Sequence, residues 1–472
     1  MILPLSPHLD EPADVIGGKA HGLVTMMRLG LAVPAGWVIP VDVCRAYLRD
    51  GRLPDGLVAE LAAAVRGAVS VRSGAMVSMP GMMSTLLDVS GEELGKAVEA
   101  VFASWDTPRA RTYRVLHDIP HDLGTAVTIQ AMVYGERGGS GVAFSRDPNT
   151  GEPGLYGEVL LGRRGDAVVS GSAVTEPLSV LPQGIRDGLG EALARLEGHY
   201  RDVCHVEFTF EGGRLWFLQV RPGGLAGRAA VRVAVDLAEE GVIDRRAALL
   251  RVEPSMLASA RTPRLAATRE VVAGGVRHGP GVAAEGPEVA GGLEVVARGV
   301  GACPGVVSGR VATTSDSAVR IAAGGPVILV RPETSPLDMQ GLAAAAGVVT
   351  ARGGPTCHAA VVARSMGKPA VVGVGSHDLA EGQVVTIDGT GGVVVLGSVA
   401  AVVTEADPQL ETLLGWAAEL VAEAGDQPED EAGDQAGDQA GDEAGDEVAL
   451  LIAAHAVLRS EKAPSANSPR AK

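Results

Sequence analysis

One histidine stands out for its setting. Residues 350–372 read Thr-Ala-Arg-Gly-Gly-Pro-Thr-Cys-His-Ala-Ala-Val-Val-Ala-Arg-Ser-Met-Gly-Lys-Pro-Ala-Val-Val. Gly353, Gly354 and Pro355 interrupt regular structure, Ala359 to Met366 suits a helix, and Gly367-Lys368-Pro369 stops it before a short apolar strand. His358 therefore falls at a helix start, where free backbone N–H groups and the positive end of the helix dipole favour a neutral ring. A neutral imidazole can act as a nucleophile. The same N–H groups would stabilise a dianion if that nucleophile took up a phosphoryl group. Taken alone, a histidine in a glycine-rich turn is more often just a polar residue at a helix start.

A second constellation lies in residues 205–221, His-Val-Glu-Phe-Thr-Phe-Glu-Gly-Gly-Arg-Leu-Trp-Phe-Leu-Gln-Val-Arg. Alternation marks two strands, with Val206, Phe208 and Phe210 on one face of the first and Trp216, Leu218 and Val220 on one face of the second. For those faces to coincide, the loop is expected to be the three residues Glu211-Gly212-Gly213. The opposite face then gathers His205, Glu207, Thr209, Gln219 and Arg221. Hard oxygen ligands beside a guanidinium are what a magnesium–nucleotide site needs, and a half-buried sheet with a wet side is the plainer reading. Lys19 follows Gly17-Gly18 at the start of another short helix, where an ammonium could reach a phosphate, although the spacing is not that of a Walker loop.

These groups need a sizeable scaffold, and 472 residues suffice for two or three domains. Hydrophobic residues at 46% and charged residues at 21% suit a globular chain, while aromatics at 3% leave the cores to Val, Leu, Ala and Met. No run approaches a membrane-spanning length, and Met1 to Pro12 lacks the pattern of a secretory signal, so a cytoplasmic location without membrane partners is expected. Cys44, Cys204, Cys303 and Cys357 have no metal-type spacing and read as reduced thiols. The net charge of −17 argues against nucleic-acid binding. Ten of the acids fall at 426–447 without any Lys or Arg, in Ala-Gly-Asp repeats expected to be too polar to fold, followed by a short helix near Val448 to Arg459.

The coarse reading is α/β (α+β). Strands are expected at Val69–Ser73, Gly124–Tyr134, Gly139–Arg146 and Tyr156–Leu161, and helices at Leu94–Trp105 and within 227–253. From Ala302 onward, short apolar strands at Val306–Val311, Val327–Val330, Val348–Ala351, Ala370–Val374 and Val384–Ile387 alternate with helices in a compact β/α unit.

The 350–372 run resembles the phosphohistidine signature of the phosphoenolpyruvate-utilising enzymes, most closely the pyruvate, phosphate dikinases. Residues 15–40, the Ser70-Val-Arg-Ser-Gly-Ala run with the Met-rich loop to Met83, and the 205–221 hairpin resemble the same family, so the likeness extends over roughly residues 1–400. It implies an ATP-grasp nucleotide-binding domain over 1–225, a helical and irregular linker over 226–297 and a swivelling β/β/α phosphohistidine domain over 298–398. Residues 399–472 would then hold the start of a phosphoenolpyruvate-binding barrel and the acidic tail, with the barrel itself not following.

By this resemblance, His358 carries phosphate, Lys19 and Arg72 contact ATP phosphates, and Glu207, Gln219 and Arg221 bind the nucleotide, with Glu207 and Gln219 on Mg2+. Thr356 matches a threonine phosphorylated for regulation in some members, and Cys357 stands where serine is usual. Two departures appear: His205 occupies a position that usually holds aspartate, and a long helical insertion before the Ser104-Trp105 helix has shrunk to a few residues. The implied reaction is the nucleotide half of a dikinase cycle, with ATP and inorganic phosphate as partners and the pyruvate half expected from a separate barrel chain. The alternatives are phosphotransfer to another small molecule, as in the rifampicin phosphotransferases, or a non-catalytic nucleotide-binding regulator.

Overall fold

A computed structural model describes residues 1–77, 79, 82–163, 175–225, 227–260, 263–265, 294–403, 408–425 and 443–462. The acidic repeats at 426–442 and the irregular stretch 266–293 lie outside these residues, as do Ser78, Pro80 and Gly81 of the Met-rich loop.

Two five-stranded antiparallel sheets make up the N-terminal half. The first has the order Leu3–Pro4, Gly36–Ile39, Ala126–Ala131, Val69–Gly74, Thr85–Val89. Ile39, Val69, Val71, Val127 and Ile129 form its core with Leu57 and Leu61 of one helix and Val98, Val101 and Phe102 of the helix Glu93–Ser104. The second has the order Arg214–Pro222, Cys204–Glu211, Gly138–Arg146, Pro153–Leu161, Glu176–Pro177. One of its faces, with Ala143, Val159, Val206, Phe208, Phe217 and Val220, packs on the helices Ala13–Arg28 and Gln183–Tyr200. The other face carries Phe144, His205, Glu207, Thr209, Gln219 and Arg221, as alternation requires. The expected α/β class holds.

The hairpin differs from its expected register in one instructive way. Arg214 pairs with Glu211 and Leu215 with Phe210, so the turn is the two-residue Gly212-Gly213. Both glycines have positive φ, 58° and 80°, the backbone that a tight hairpin turn needs and that side chains resist. Leu215 and Phe217, rather than Trp216 and Leu218, therefore share the apolar face near the turn. A bulge between Phe217 and Gln219 then restores the register, so that Gln219 faces Glu207 and Arg221 faces His205. The expected polar face survives through a bulge that simple alternation cannot reveal.

Residues 295–396 form an eight-stranded mixed sheet in the order Val295–Arg298, Val393–Leu396, Val384–Asp388, Val306–Ala312, Val327–Arg331, Gly347–Thr350, Ala370–Val372, Val300–Cys303. Its centre, from Val306–Ala312 to Ala370–Val372, is parallel. Such strands are covered on both faces, which accounts for their unbroken apolar runs. One covering element is the helix His358–Ser365. Two segments connect this domain, Pro263–Leu265 and Ala401–Val403, and they pair with each other as a two-stranded ribbon.

The regions read as linker and tail are not separate in space. Helices Gly227–Glu239, Arg245–Arg251 and Pro254–Ala260 share one apolar cluster with Pro408–Gly425 and Glu443–Lys462, in which Leu249, Leu413 and Leu451 are fully buried or nearly so. His455 joins them through Nε2 and the Leu249 carbonyl at 2.8 Å. Sequence patterning delimits each helix but gives no sign of which helices meet across some 150 intervening residues, and this explains the difference. Among the described residues, no helix is long and apolar enough to cross a membrane.

Candidate functional site

The polar face of the second sheet and the helix carrying Lys19 converge. That helix opens irregularly at Gly17 (φ 78°, ψ 151°), whose backbone lies against Gly74 at the end of the Arg72 strand. Lys19 and Arg72 are thereby brought to the edge of the Glu207–Gln219 face. Burial lowers the Lys19 pKa to about 7, with the Arg72 charge adding to the shift, Glu207 opposing it and Arg221 contributing least. The side chain of Arg72 is buried and donates through Nη2 to the Gln130 amide oxygen and, at 2.9 Å, to the carbonyl of Leu218. Leu218 is the bulged residue, so the irregularity that corrects the hairpin also frees a carbonyl to hold Arg72. Arg72 Nε has no partner among the described residues.

On the sheet, Arg221 reaches Glu207 at 3.9 Å, and with the Gln219 amide oxygen turned toward it, Arg221 Nη2 donates to that oxygen at 2.7 Å. The five residues expected to bind nucleotide, Lys19, Arg72, Glu207, Gln219 and Arg221, thus form one cluster. The oxygens of Glu207 and Gln219 already converge on a cation, the Arg221 guanidinium, and this donor set fits a hard divalent ion whose remaining ligands come from phosphate and water. Among the described residues there is no group of three or more His, Cys, Asp or Glu able to hold a metal alone. His205 stacks on Phe144 with ring centroids 5.1 Å apart. Its pKa falls to about 3, through burial first and then the charges of Arg221 and Arg364.

His358 is the first residue of the helix His358–Ser365 and is 8% exposed. Its Nδ1 lies 3.0 Å from the hydroxyl of Thr334, itself buried, and Nε2 is buried without a partner among the described residues. The pKa of the ring drops to about 4, with burial as the main cause and Asp338 opposing it. Burial, rather than the helix start, is thus the main factor favouring a neutral imidazole here. Asp338 is fixed by Ser335, Ser315 (3.0 Å) and Arg331 (3.2 Å). Burial also raises the pKa of the neighbouring Cys357 thiol, so this side chain is packing rather than a competing nucleophile.

The histidine loop rests on the nucleotide sheet. Glu158 stands in the same cross-strand row as Gln219, Glu207 and Val142. Its carboxylate accepts from the Thr356 backbone N–H at 2.8 Å and from the Thr356 and Thr175 hydroxyls. Gly354 makes this approach possible, because a Cβ there would lie 1.9 Å from a Glu158 oxygen. Asn149 donates to the Gly301 carbonyl at 2.9 Å across the same seam. Arg364 braces the loop from behind through Pro355 O (2.6 Å) and Ala302 O (2.9 Å). Met79, Met82, Trp105 and Tyr113 cover the seam and share an apolar cluster with Cys357, Ala359 and Ala360.

Four of these residues, Glu158, Asn149, Thr334 and Arg364, escape sequence reasoning. Glu158 leaves the one usable signal, a single carboxylate inside the apolar run Leu155-Tyr-Gly-Glu-Val-Leu-Leu161.

Comparison with known proteins agrees with this layout. Residues 56–181 match the pyruvate phosphate dikinase AMP/ATP-binding domain, and residues 324–392 match the mobile domain of the PEP-utilising enzymes. The chain is 33% identical to the pyruvate, phosphate dikinase of Rhizobium meliloti over 548 positions, which cover 86% of this chain and 58% of that protein. It is 33% identical to pyruvate, phosphate dikinase 2 of Zea mays over 551 positions, covering 88% of this chain and 60% of that protein. These alignments are longer than the 472-residue chain, so the relatives contain stretches with no counterpart here. The chain spans somewhat under two thirds of the length of these relatives. Among solved structures, the D-alanine–D-alanine ligase of Helicobacter pylori is 14% identical, covers 47% of this chain and 59% of its own, and has a TM-score of 0.26. The chain belongs to the phosphoenolpyruvate-utilising enzymes and carries the nucleotide-binding and mobile domains found in pyruvate, phosphate dikinases.

Proposed function

We propose that this chain transfers phosphate from ATP to His358, acting as the nucleotide half of a pyruvate, phosphate dikinase-type cycle. The observation that carries the reading is the seam itself: Glu158 holds the His358 loop against the sheet face that gathers Lys19, Arg72, Glu207, Gln219 and Arg221. Lys19, Arg72 and Arg221 neutralise charge on the phosphates, as preorganised donors do best away from bulk water. Magnesium on Glu207 and Gln219 would supply further charge neutralisation at the transferred group. With Nδ1 donating its proton to Thr334, Nε2 keeps a lone pair. That lone pair forms the new N–P bond, the bond from phosphorus to the bridging oxygen breaks, and the nucleotide leaves with the electron pair.

In the dikinases a pyrophosphoryl histidine passes one phosphoryl group to inorganic phosphate, and the same sequence is proposed here. The remaining phosphoryl group would go to pyruvate, as in the dikinases. The test is incubation with Mg2+ and ATP labelled at the β or the γ phosphate, with His358→Ala as control. Acid-labile, base-stable label that depends on His358 is expected, with β label retained after inorganic phosphate is added. Absence of label with and without inorganic phosphate overturns the reading.

A further inference from the structure

The hairpin face holds one group that the reaction above does not use. His205 lies two residues before Glu207 on the same strand face, directly across from Arg221, while Gln219 lies directly across from Glu207. Residues two apart on a strand are about 7 Å apart, close enough for a histidine and a glutamate side chain to meet at a common ion. The Phe144 ring fixes the imidazole plane by stacking. Among the described residues, neither ring nitrogen of His205 makes a hydrogen bond, whereas Nδ1 of His358 does. A partly buried imidazole without a polar partner stands beside a carboxylate and an amide whose oxygens already face one cation, Arg221, and so completes a donor set open to an incoming ion.

We propose that His205 is a nitrogen ligand to the divalent ion that enters with the nucleotide, sharing it with Glu207 and Gln219, and that this mixed set makes the site prefer Mn2+ to Mg2+. The inference rests on the nucleotide reading above and deepens it. Magnesium favours an all-oxygen octahedral shell, whereas imidazole suits first-row transition ions, so exchanging one oxygen ligand for nitrogen moves the preference along that series. Arg221 and Arg364 flank His205, so a bare ion meets net positive charge. The phosphates of the nucleotide supply the compensating negative charge and draw Arg221 onto themselves. The ion therefore binds with nucleotide and not before it.

The experiment uses the full chain with Mn2+ and ADP. Pulsed electron paramagnetic resonance of the Mn2+ centre should show coupling to a histidine nitrogen that changes on 15N-histidine labelling and vanishes in His205→Asn. Circular dichroism should show that His205→Asn is folded like the unaltered protein. His205→Asp should lower the ratio of Mn2+-supported to Mg2+-supported ADP affinity roughly tenfold. Mn2+ alone should give no bound signal. Bound Mn2+–ADP without histidine coupling in the unaltered protein overturns the proposal and leaves the nucleotide reading standing, and this measurement does not depend on a variant folding. Coupling that persists in His205→Asn also overturns it. Failure to bind ADP with either ion removes the nucleotide reading and this inference together.

Discussion

The nucleotide face and the histidine loop meet at one seam, yet they are built on opposite electrostatic plans. On the sheet, Lys19, Arg72 and Arg221 crowd around Glu207, and burial, with the Arg72 charge adding to it, depresses Lys19 to about 7. Around His358 the polar contact is the neutral Thr334 hydroxyl, and the charge acting on the ring is that of Asp338, an anion. On the function proposed above, the sheet face would supply the groups that stabilise transferring phosphate, and the histidine loop would bring few of its own. This division suits a carrier that must depart. Cations on the loop would hold the phosphoryl group equally well before and after transfer and so would not favour the transition state over its neighbours.

The largest effect should come from His358. His358→Ala is expected to abolish acid-labile labelling. The unaltered protein should also keep its labelling rate well below the usual histidine range, because the protonated ring has no lone pair to attack with and burial has lowered its pKa from 6.5 to about 4. The acid limb of a rate–pH profile should therefore fall near pH 4. A limb near 6.5 would mean that the ring is hydrated when it reacts and that the burial contrast between the two regions disappears in turnover.

Next in size is Lys19. Its side chain is an ammonium below about pH 7 and an amine above it, and the phosphates of ATP should restore the charge. ATP binding at pH 8 is thus expected to take up a proton, detectable as a dependence of the calorimetric enthalpy on buffer ionisation. Lys19→Met should remove the uptake and weaken ATP roughly a hundredfold, as loss of one buried charge partner does. Equal enthalpies in two buffers would show that Lys19 is already charged and that the face is less crowded than the geometry indicates.

Much of the nucleotide face was legible in the sequence because its residues obey local rules. Alternation places Glu207, Gln219 and Arg221 on one side, whereas the glycine-rich starts leave Lys19 and His358 as ordinary polar residues until the family resemblance singles them out. The three-residue turn was misjudged because a bulge at Leu218 performs the register correction that the turn was assumed to make. Glu158 and Thr334 were missed for a different reason. Glu158 acts across the seam on a residue 198 positions away, Thr334 acts within its own domain on one 24 positions away, and nothing local to either residue encodes the partner. The helical cluster was missed on the same ground, since Leu249 and Leu451 look like ordinary apolar positions of two unrelated helices.

Glu158 tests the seam itself. Glu158→Ala leaves the buried Thr356 N–H without its acceptor, at a cost of about 2 kcal/mol, or roughly thirtyfold in the docked population. Labelling of His358 should slow by about that factor, while ATP affinity, set by Lys19, Arg72, Glu207, Gln219 and Arg221, should hold. A parallel loss of ATP affinity would show that Glu158 belongs to the nucleotide site rather than to docking.

The smallest effect on chemistry should come from the helical cluster. Leu451 is fully buried there, and Leu451→Ala should cost about 2–5 kcal/mol of stability, read as a lowered unfolding midpoint. Per folded molecule the labelling rate should be unchanged, because among the described residues the cluster includes no member of the charged face or of the histidine loop. It does adjoin both connections of the mobile domain, the helix Pro254–Ala260 leading to Pro263–Leu265 and the ribbon strand Ala401–Val403 leading to Pro408–Gly425. A slower rate at full folding would therefore mean that the cluster governs how the carrier reaches the sheet, and the contrast between a charged donor and an unencumbered carrier would need a third participant.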